Sequence, residues 1–387
     1  MEITAQRHAP EPPVRGEQGY DREKVLYYLM EAGAQAPSFY NAQPWRFRSD
    51  TDSIELWLDP AADSSLYDWH NALSILSCGG VLENIQLAAD ELGLKTDVEI
   101  APAPGHSALL ARVTADFDAP ETSTTPSDQD LAAAIWRRHT NTLQFDSVPL
   151  EERQRLALTD AIVNSPAVTL HLLEGPQQKE RIFAAVAQAE QVRFAREDLH
   201  RHLHRMIRWT EAEASSNRTG LTLPAMGACG FGETFFRMTR SWPVMKTMNL
   251  FGAYRDQAKR ANEGLKNCSA VGLLTIRQGD DRALLEAGRA MERLWLTATA
   301  TGLNLQPHTV ITIFHWIRRF GGRAQFDDWE NGILDRAFTG YAEAFPALDP
   351  AADEQGVFLF RVGHGPEVRG YTLRRSPEEL LLPRDGA

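Results

Sequence analysis

Apolar residues recur every three to four positions over 21–33, where Val25, Leu26 and Leu29 share one face, and this spacing predicts a helix. Helices are likewise expected over 71–92, 127–139, 178–205, 282–301 and 330–344. Alternation with period two at Ile54-Glu-Leu-Trp-Leu58 predicts a strand. Further strands are expected over 109–115, 168–172, 270–276 and 357–362. The stretch 210–267 fits neither period. It carries Gly220, Gly227, Gly230 and Gly232 beside Phe231, Phe235, Phe236 and Trp242, and it reads as an irregular excursion, a candidate lid.

Two of the helical stretches repeat one another. Gly79, Glu83, Leu87, Ala89, Gly93 and Leu94 recur at one fixed offset as Gly288, Glu292, Leu296, Ala298, Gly302 and Leu303. Six identities over a gapless segment of 16 residues point to a duplication, and two copies in one chain point to an intramolecular pseudo-dimer. Between the copies, 118–128 is rich in Pro, Ser and Thr, as a linker is. The division that follows is a flexible N-terminus at 1–19, a first lobe at 20–118, a linker at 119–127 and a second lobe at 128–387, with 210–267 inserted in it.

Composition narrows the function. The 387 residues are 43% hydrophobic and 24% charged, as in ordinary globular proteins. The net charge of −12 argues against a nucleic-acid-binding surface but leaves room for a local basic pocket. Cys78, Cys229 and Cys268 form no CxxC pair, so a cytoplasmic, reducing compartment is expected, with neither a disulfide framework nor a metal site. No run approaches the ~18 apolar residues of a membrane span, and 1–19 lacks the apolar core of a signal peptide.

Three segments carry candidate chemistry. In Ala36-Pro-Ser-Phe-Tyr-Asn-Ala-Gln-Pro-Trp-Arg-Phe47, Pro37 excludes the helical conformation at Ala36 and ends the helix. The turn after it offers Ser38, Asn41 and Gln43 to a polar ligand. Trp136-Arg-Arg-His-Thr-Asn-Thr142 offers the forked donors of Arg137 and Arg138 and the hydroxyl of Thr140. Phe358-Leu-Phe-Arg-Val-Gly-His-Gly365 precedes Leu373-Arg-Arg-Ser-Pro377, with Arg374 and Arg375. In this order the segments resemble the APSxxNxQPW, RRSxRxF and closing RRP elements of the FMN-dependent nitroreductase superfamily, over roughly 21–376. The RRxTN form resembles its fused, Acg-like branch, with one departure at Thr142, where a further basic residue is usual.

The resemblance implies an α+β, nitroreductase-like fold of two fused lobes, with mainly antiparallel sheets flanked by helices. It implies one FMN between the lobes, gripped at its phosphate by Arg137, Arg138, Thr140, Arg374 and Arg375. Ser38, Asn41 and Gln43 would meet the ring rim or ribityl chain, and the loop at 304–308, with Gln306 and Pro307, would lie beside the flavin. The implied activity is hydride transfer through flavin N5 between NAD(P)H and a small organic substrate, with no catalytic side chain required. Two other readings stay open: an FMN-sequestering protein with little turnover, and a dehydrogenase of a biosynthetic intermediate. The expected assembly is a monomer or weak homodimer, without nucleic-acid or membrane partners.

Other motifs carry less. Gly230-Phe-Gly232 lacks the third glycine and the strand of a dinucleotide fingerprint. His200, His202 and His204 sit among arginines and read as a solvated basic face. Glu83 and Glu292 are expected to serve as structural caps or contacts between lobes.

Overall fold

A computed structural model describes residues 9–15, 21–100, 108–120, 125–228, 230–348, 353–368 and 370–383. Most of the expected lead-in at 1–19, part of the linker and Cys229 lie outside them. The first helix, Arg22–Ala34, is capped by Asp21, whose carboxylate accepts from Lys24 N at 2.7 Å. Its apolar face packs on the long helix Ala72–Glu91, which turns off at Gly93 with φ 64°. Four antiparallel strands complete this lobe, in the spatial order Trp45–Ser49, Ser53–Leu58, Leu109–Asp116, Lys95–Ile100.

The second lobe repeats the plan. Helix Asp281–Ala300, capped by Asp280, turns off at Gly302 with φ 76° and feeds strand Asn304–Pro307, as the first copy feeds Lys95–Ile100. Its sheet is ordered Val168–Leu173, Ala270–Ile276, Gln355–Gly363, Asn304–Pro307, again wholly antiparallel. Strand Gln355–Gly363 is buried along its whole length, because helices cover both faces of the sheet.

The lobes meet where the two repeated helices cross. The last segment of the chain then returns to the first lobe. Phe47 pairs with Leu381 as a parallel bridge, and Leu382 N donates to Phe47 O at 2.7 Å.

Ten of the eleven expected helices and strands fall within two residues of expectation, but strands Trp45–Ser49 and Lys95–Ile100 and helices Glu152–Asp160 and Val310–Phe320 were not expected, and the expected loop at 304–308 is strand Asn304–Pro307. One helix divides: 178–205 is two helices, Pro176–Ala195 and Glu197–Met206, separated by extended Arg196 at φ −88°, ψ 131°. The excursion at 210–267 is far more regular than its glycines suggest. It contains helices Glu211–Asn217, Phe231–Met238, Trp242–Leu250 and Ala253–Asn262. Glycine serves there as punctuation: Gly230 (φ 55°) and Gly252 (φ 88°) precede two of these helices. One helical stretch, 66–91, is apolar and long enough to cross a membrane, but 83% of its apolar window is buried inside the protein.

Candidate functional site

The turn after the first helix is held in a costly conformation. Tyr40, Asn41 and Gln43 all have positive φ, at 46°, 57° and 54°. Such residues persist only where their surroundings overdetermine them. Here the restraints are visible. Ser38 Oγ accepts from Gln43 N at 2.9 Å. Asn41 Nδ2 donates to Gly220 O and Leu373 O, at 3.1 and 3.0 Å, while its Oδ1 accepts from Arg374 at 2.6 Å. One asparagine thus ties the first lobe to the excursion and to the C-terminal segment.

This turn forms one wall of a cavity of about 760 Å³ between the lobes. Ser38, Asn41, Arg138, Thr140, Gln306, Pro307 and Arg374 all line it. Three expected residues do not. Gln43 is fully buried and structural: its amide donates to Arg218 O at 2.6 Å and its Oε1 accepts from Arg375 N at 2.9 Å. Arg375 is turned toward Gln43 O at 2.5 Å. Burial, with Arg46 nearby, lowers its pKa to about 10. Arg137 is exposed at the last turn of helix Pro126–Arg137 and donates to Ala133 O at 3.4 Å.

Arg138 differs from its neighbour because helix Pro126–Arg137 ends there and the chain turns inward. Its guanidinium pairs with Glu292 at 3.1 Å, both side chains being almost wholly buried. It donates to Gln35 O at 2.7 Å and lies 4.8 Å over the Trp295 ring. Much of its bonding capacity is therefore taken up within the protein. The repeat-related counterpart of Glu292, Glu83, instead binds Arg289 and Arg293 of the opposite helix, at 3.0 and 2.5 Å. Glu83 is a contact between lobes, as expected of it, whereas Glu292 is the buried partner of Arg138, which lines the cavity.

Two lining residues, Arg361 and His308, lie within the expected segments without being singled out there. Arg361 is 2% exposed on the central strand of the second sheet. Its Nε donates to Gln306 Oε1 at 2.7 Å and one Nη to Leu143 O at 2.6 Å, while its guanidinium lies 3.9 Å from the Phe145 ring centroid. No carboxylate pairs with it among the described residues, and burial pulls its pKa down to about 10. His308 is 7% exposed. Its Nδ1 faces Asn262 Oδ1 at 2.9 Å, and the Asn262 amide nitrogen is committed to Ala258 O at 2.8 Å. This network assigns the imidazole proton to Nδ1 and leaves a lone pair on Nε2. Burial, then Arg361 and Arg193, lower its pKa to about 3. The signal for Arg361 was a single arginine inside an otherwise apolar strand.

The excursion supplies the opposite wall, through Met226, Gly227, Phe235, Phe236, Gln257 and Asn262. Gly227, at φ 72°, packs on Thr142, where a side chain would clash with the threonine hydroxyl. The neighbouring histidines are not a solvated face. His200 and His202 are buried, and the ring centroids of His202 and Tyr40 are 5.6 Å apart, those of His204 and Trp209 5.7 Å.

No protein-family model matches the chain. It is 26% identical over 297 residues, 75% of its length, to a Mycobacterium tuberculosis protein named as an NAD(P)H nitroreductase, acg, and covers 82% of that protein. Over three quarters of its length the chain is thus similar to an Acg-type NAD(P)H nitroreductase. A second M. tuberculosis protein named as an NAD(P)H nitroreductase, Rv3131, is 34% identical over 130 residues, 34% of this chain and 36% of that one. Among solved structures, an Anabaena variabilis protein described as a nitroreductase superposes over 81% of this chain and 69% of its own, at 12% identity and a TM-score of 0.36. The FMN-dependent nitroreductase NfnB of Mycobacterium smegmatis, solved with NADPH, covers 67% of this chain and 95% of its own, at 12% identity and 0.35. At such scores the superpositions carry no weight beside the plan of two matching sheets.

Proposed function

We propose that this chain is an FMN-dependent oxidoreductase of the nitroreductase type, moving hydride between NAD(P)H and a small organic substrate. The observation that carries the reading is the charge of the cavity. Five arginines and two glutamates line it, in a chain whose net charge is −12. This excess of arginine over carboxylate along one cavity, against the overall charge, favours an anionic ligand.

The residues present fit FMN. The volume lies within the range of about 300–1,000 Å³ usual for ligand sites. Leu76, Met291, Trp295 and Phe358 give apolar surface for a ring system. Ser38 and Thr140 offer hydroxyls to a polyol chain. Arg374, oriented by Asn41 and Thr372, would hold the phosphate, with Arg138 behind it. The flavin, when bound, supplies the hydride acceptor and donor. The chain's own part is to orient that ring between the turn at 38–43 and the strand at 304–307 and to exclude bulk water. The residues 210–267 act as the cover. The lobes 20–118 and 128–387 replace the two subunits of a dimer, so the expected state in solution is a monomer.

The test is anaerobic reduction. The protein saturated with FMN should lose its ~450 nm absorbance on addition of NADPH or NADH. A flavin-loaded protein that neither nucleotide bleaches would favour the second reading, an FMN-sequestering protein. That reading is motivated by helices Phe231–Met238 and Ala253–Asn262, which contribute to the cavity wall.

A further inference from the structure

His308 and Arg361 sit on the same face of adjacent strands. Arg361 is in register with Gln306, and His308 lies two residues further along, with its N donating to Leu359 O at 2.7 Å. The two-residue period of a strand puts Gln306 and His308 on the side that Arg361 and Leu359 share. The hydrogen bond from Arg361 to Gln306 agrees with that geometry. Both side chains line the cavity and are more than nine-tenths buried. Each has one polar atom without a hydrogen-bond partner among the described residues: Nε2 of His308, an acceptor, and one Nη of Arg361, a charged donor. Buried polar groups are rarely left this way. Two of opposite kind, side by side in a binding cavity, specify the ligand edge that would satisfy both: an N–H donor next to an electron-rich carbonyl oxygen.

Resting on the FMN reading, we propose that His308 and Arg361 receive the pyrimidine edge of the flavin, His308 Nε2 accepting from the ring N3–H and Arg361 donating to the adjoining carbonyl oxygen. Asn262 is a positioning residue in this arrangement. From the last turn of helix Ala253–Asn262 it keeps the proton on Nδ1, so the cover and the ring-binding wall share a hydrogen bond.

The experiment alters the ligand and the residue in turn. Apoprotein is titrated with FMN and with 3-methyl-FMN, which lacks the N3–H donor, in wild type and His308→Leu. N3-methylation should weaken binding to wild type about 10- to 100-fold, the range for a lost partner of a buried acceptor. It should cost His308→Leu less than about threefold, since the acceptor is already gone. Equal losses in the two proteins, or no loss in wild type, overturn the inference and leave the FMN reading standing. Failure of wild type to bind FMN at all overturns both. The wild-type arm involves no variant, so a folding defect in His308→Leu cannot mimic its result. Arg361→Met supplies an independent readout: loss of the cation should move the bound flavin's midpoint potential to more negative values, and an unchanged potential removes Arg361 from the assignment.

Discussion

Gly79 and Gly288 lie face to face at the centre of the molecule, where the two repeated helices cross. A Cβ on Gly79 would stand 2.8 Å from the Gly288 Cα, and one on Gly288 would stand 2.9 Å from the Gly79 Cα, each also driven into a backbone carbonyl of the other helix. The two glycines occupy equivalent positions of the repeat, so they mark the pseudo-twofold relation between the lobes. Gly288→Ala should therefore force the helices apart. Overpacking of this kind costs about 1–3 kcal/mol or more, and here the clash is with backbone. Chemical denaturation should show a markedly lower midpoint, and an unchanged midpoint would mean that the helices do not cross this closely.

Arg138 and Arg374 should separate under substitution, although both line the cavity. Glu292→Gln leaves the Arg138 charge buried without its carboxylate and should cost about 3–5 kcal/mol of folding stability. Arg374→Ala should cost less, about 1–2 kcal/mol for its hydrogen bond to the Asn41 Oδ1. It should weaken FMN binding about 10- to 100-fold, the value of a charge-assisted hydrogen bond to phosphate. Denaturation curves and flavin titrations of both variants check this. A stable Glu292→Gln protein, or an Arg374→Ala protein with native affinity, contradicts these roles.

Flavin content should be one per chain. The cavity between the lobes, at about 760 Å³, has room for one flavin. The position equivalent to the Arg138–Glu292 pair is closed by Glu83, Arg289 and Arg293. Flavin released on denaturation of saturated protein, divided by protein concentration, should be close to one. A ratio near two would reveal a second site.

Acid should destabilise the fold through its buried histidines. Burial holds His204, His308 and His315 at folded-state pKa values of about 4, 3 and 4. The unfolded chain binds their protons near pH 6.5, the folded one only far lower. Their contribution is complete above about pH 6.5 and is lost as pH falls toward the folded values. Asp68 and Asp90, raised by burial to about 6, act in the opposite sense over part of that range. Replacing one histidine isolates its share. His315→Gln should flatten the stability profile between about pH 4 and 6.5 by up to ~1.4 kcal/mol per pH unit. An unchanged slope would place His315 in contact with solvent.

The cover should slow access to the flavin. Replacing 231–251 by a short Gly/Ser linker removes Phe235 and Phe236 from the cavity wall and retains Asn262. Reduction of bound FMN by dithionite should then be faster by stopped flow. A folded, flavin-loaded variant reduced at the native rate would show that these helices do not limit access.

The repeated helices and their paired glycines, five of the eight strands in the two four-stranded sheets and the helix-ending turn at Pro37 are legible along the chain. Each is written in local periodicity, in glycine and proline placement, or in self-similarity over 16 residues, and needs no knowledge of distant contacts. The excursion at 210–267 defeated that reading, because its short helices are placed by tertiary packing, two of them against the cavity. The division of labour among the arginines came from packing alone. Arg137 and Arg138 are adjacent in the chain, yet a helix end sends one to solvent and the other into a buried pair with Glu292. Arg375 is held at Gln43, away from the cavity, while Arg361, drawn from the middle of a buried strand, enters its wall. The direction of a side chain relative to elements hundreds of residues away depends on how sheets and helices are stacked, and that is fixed only when the lobes close on each other.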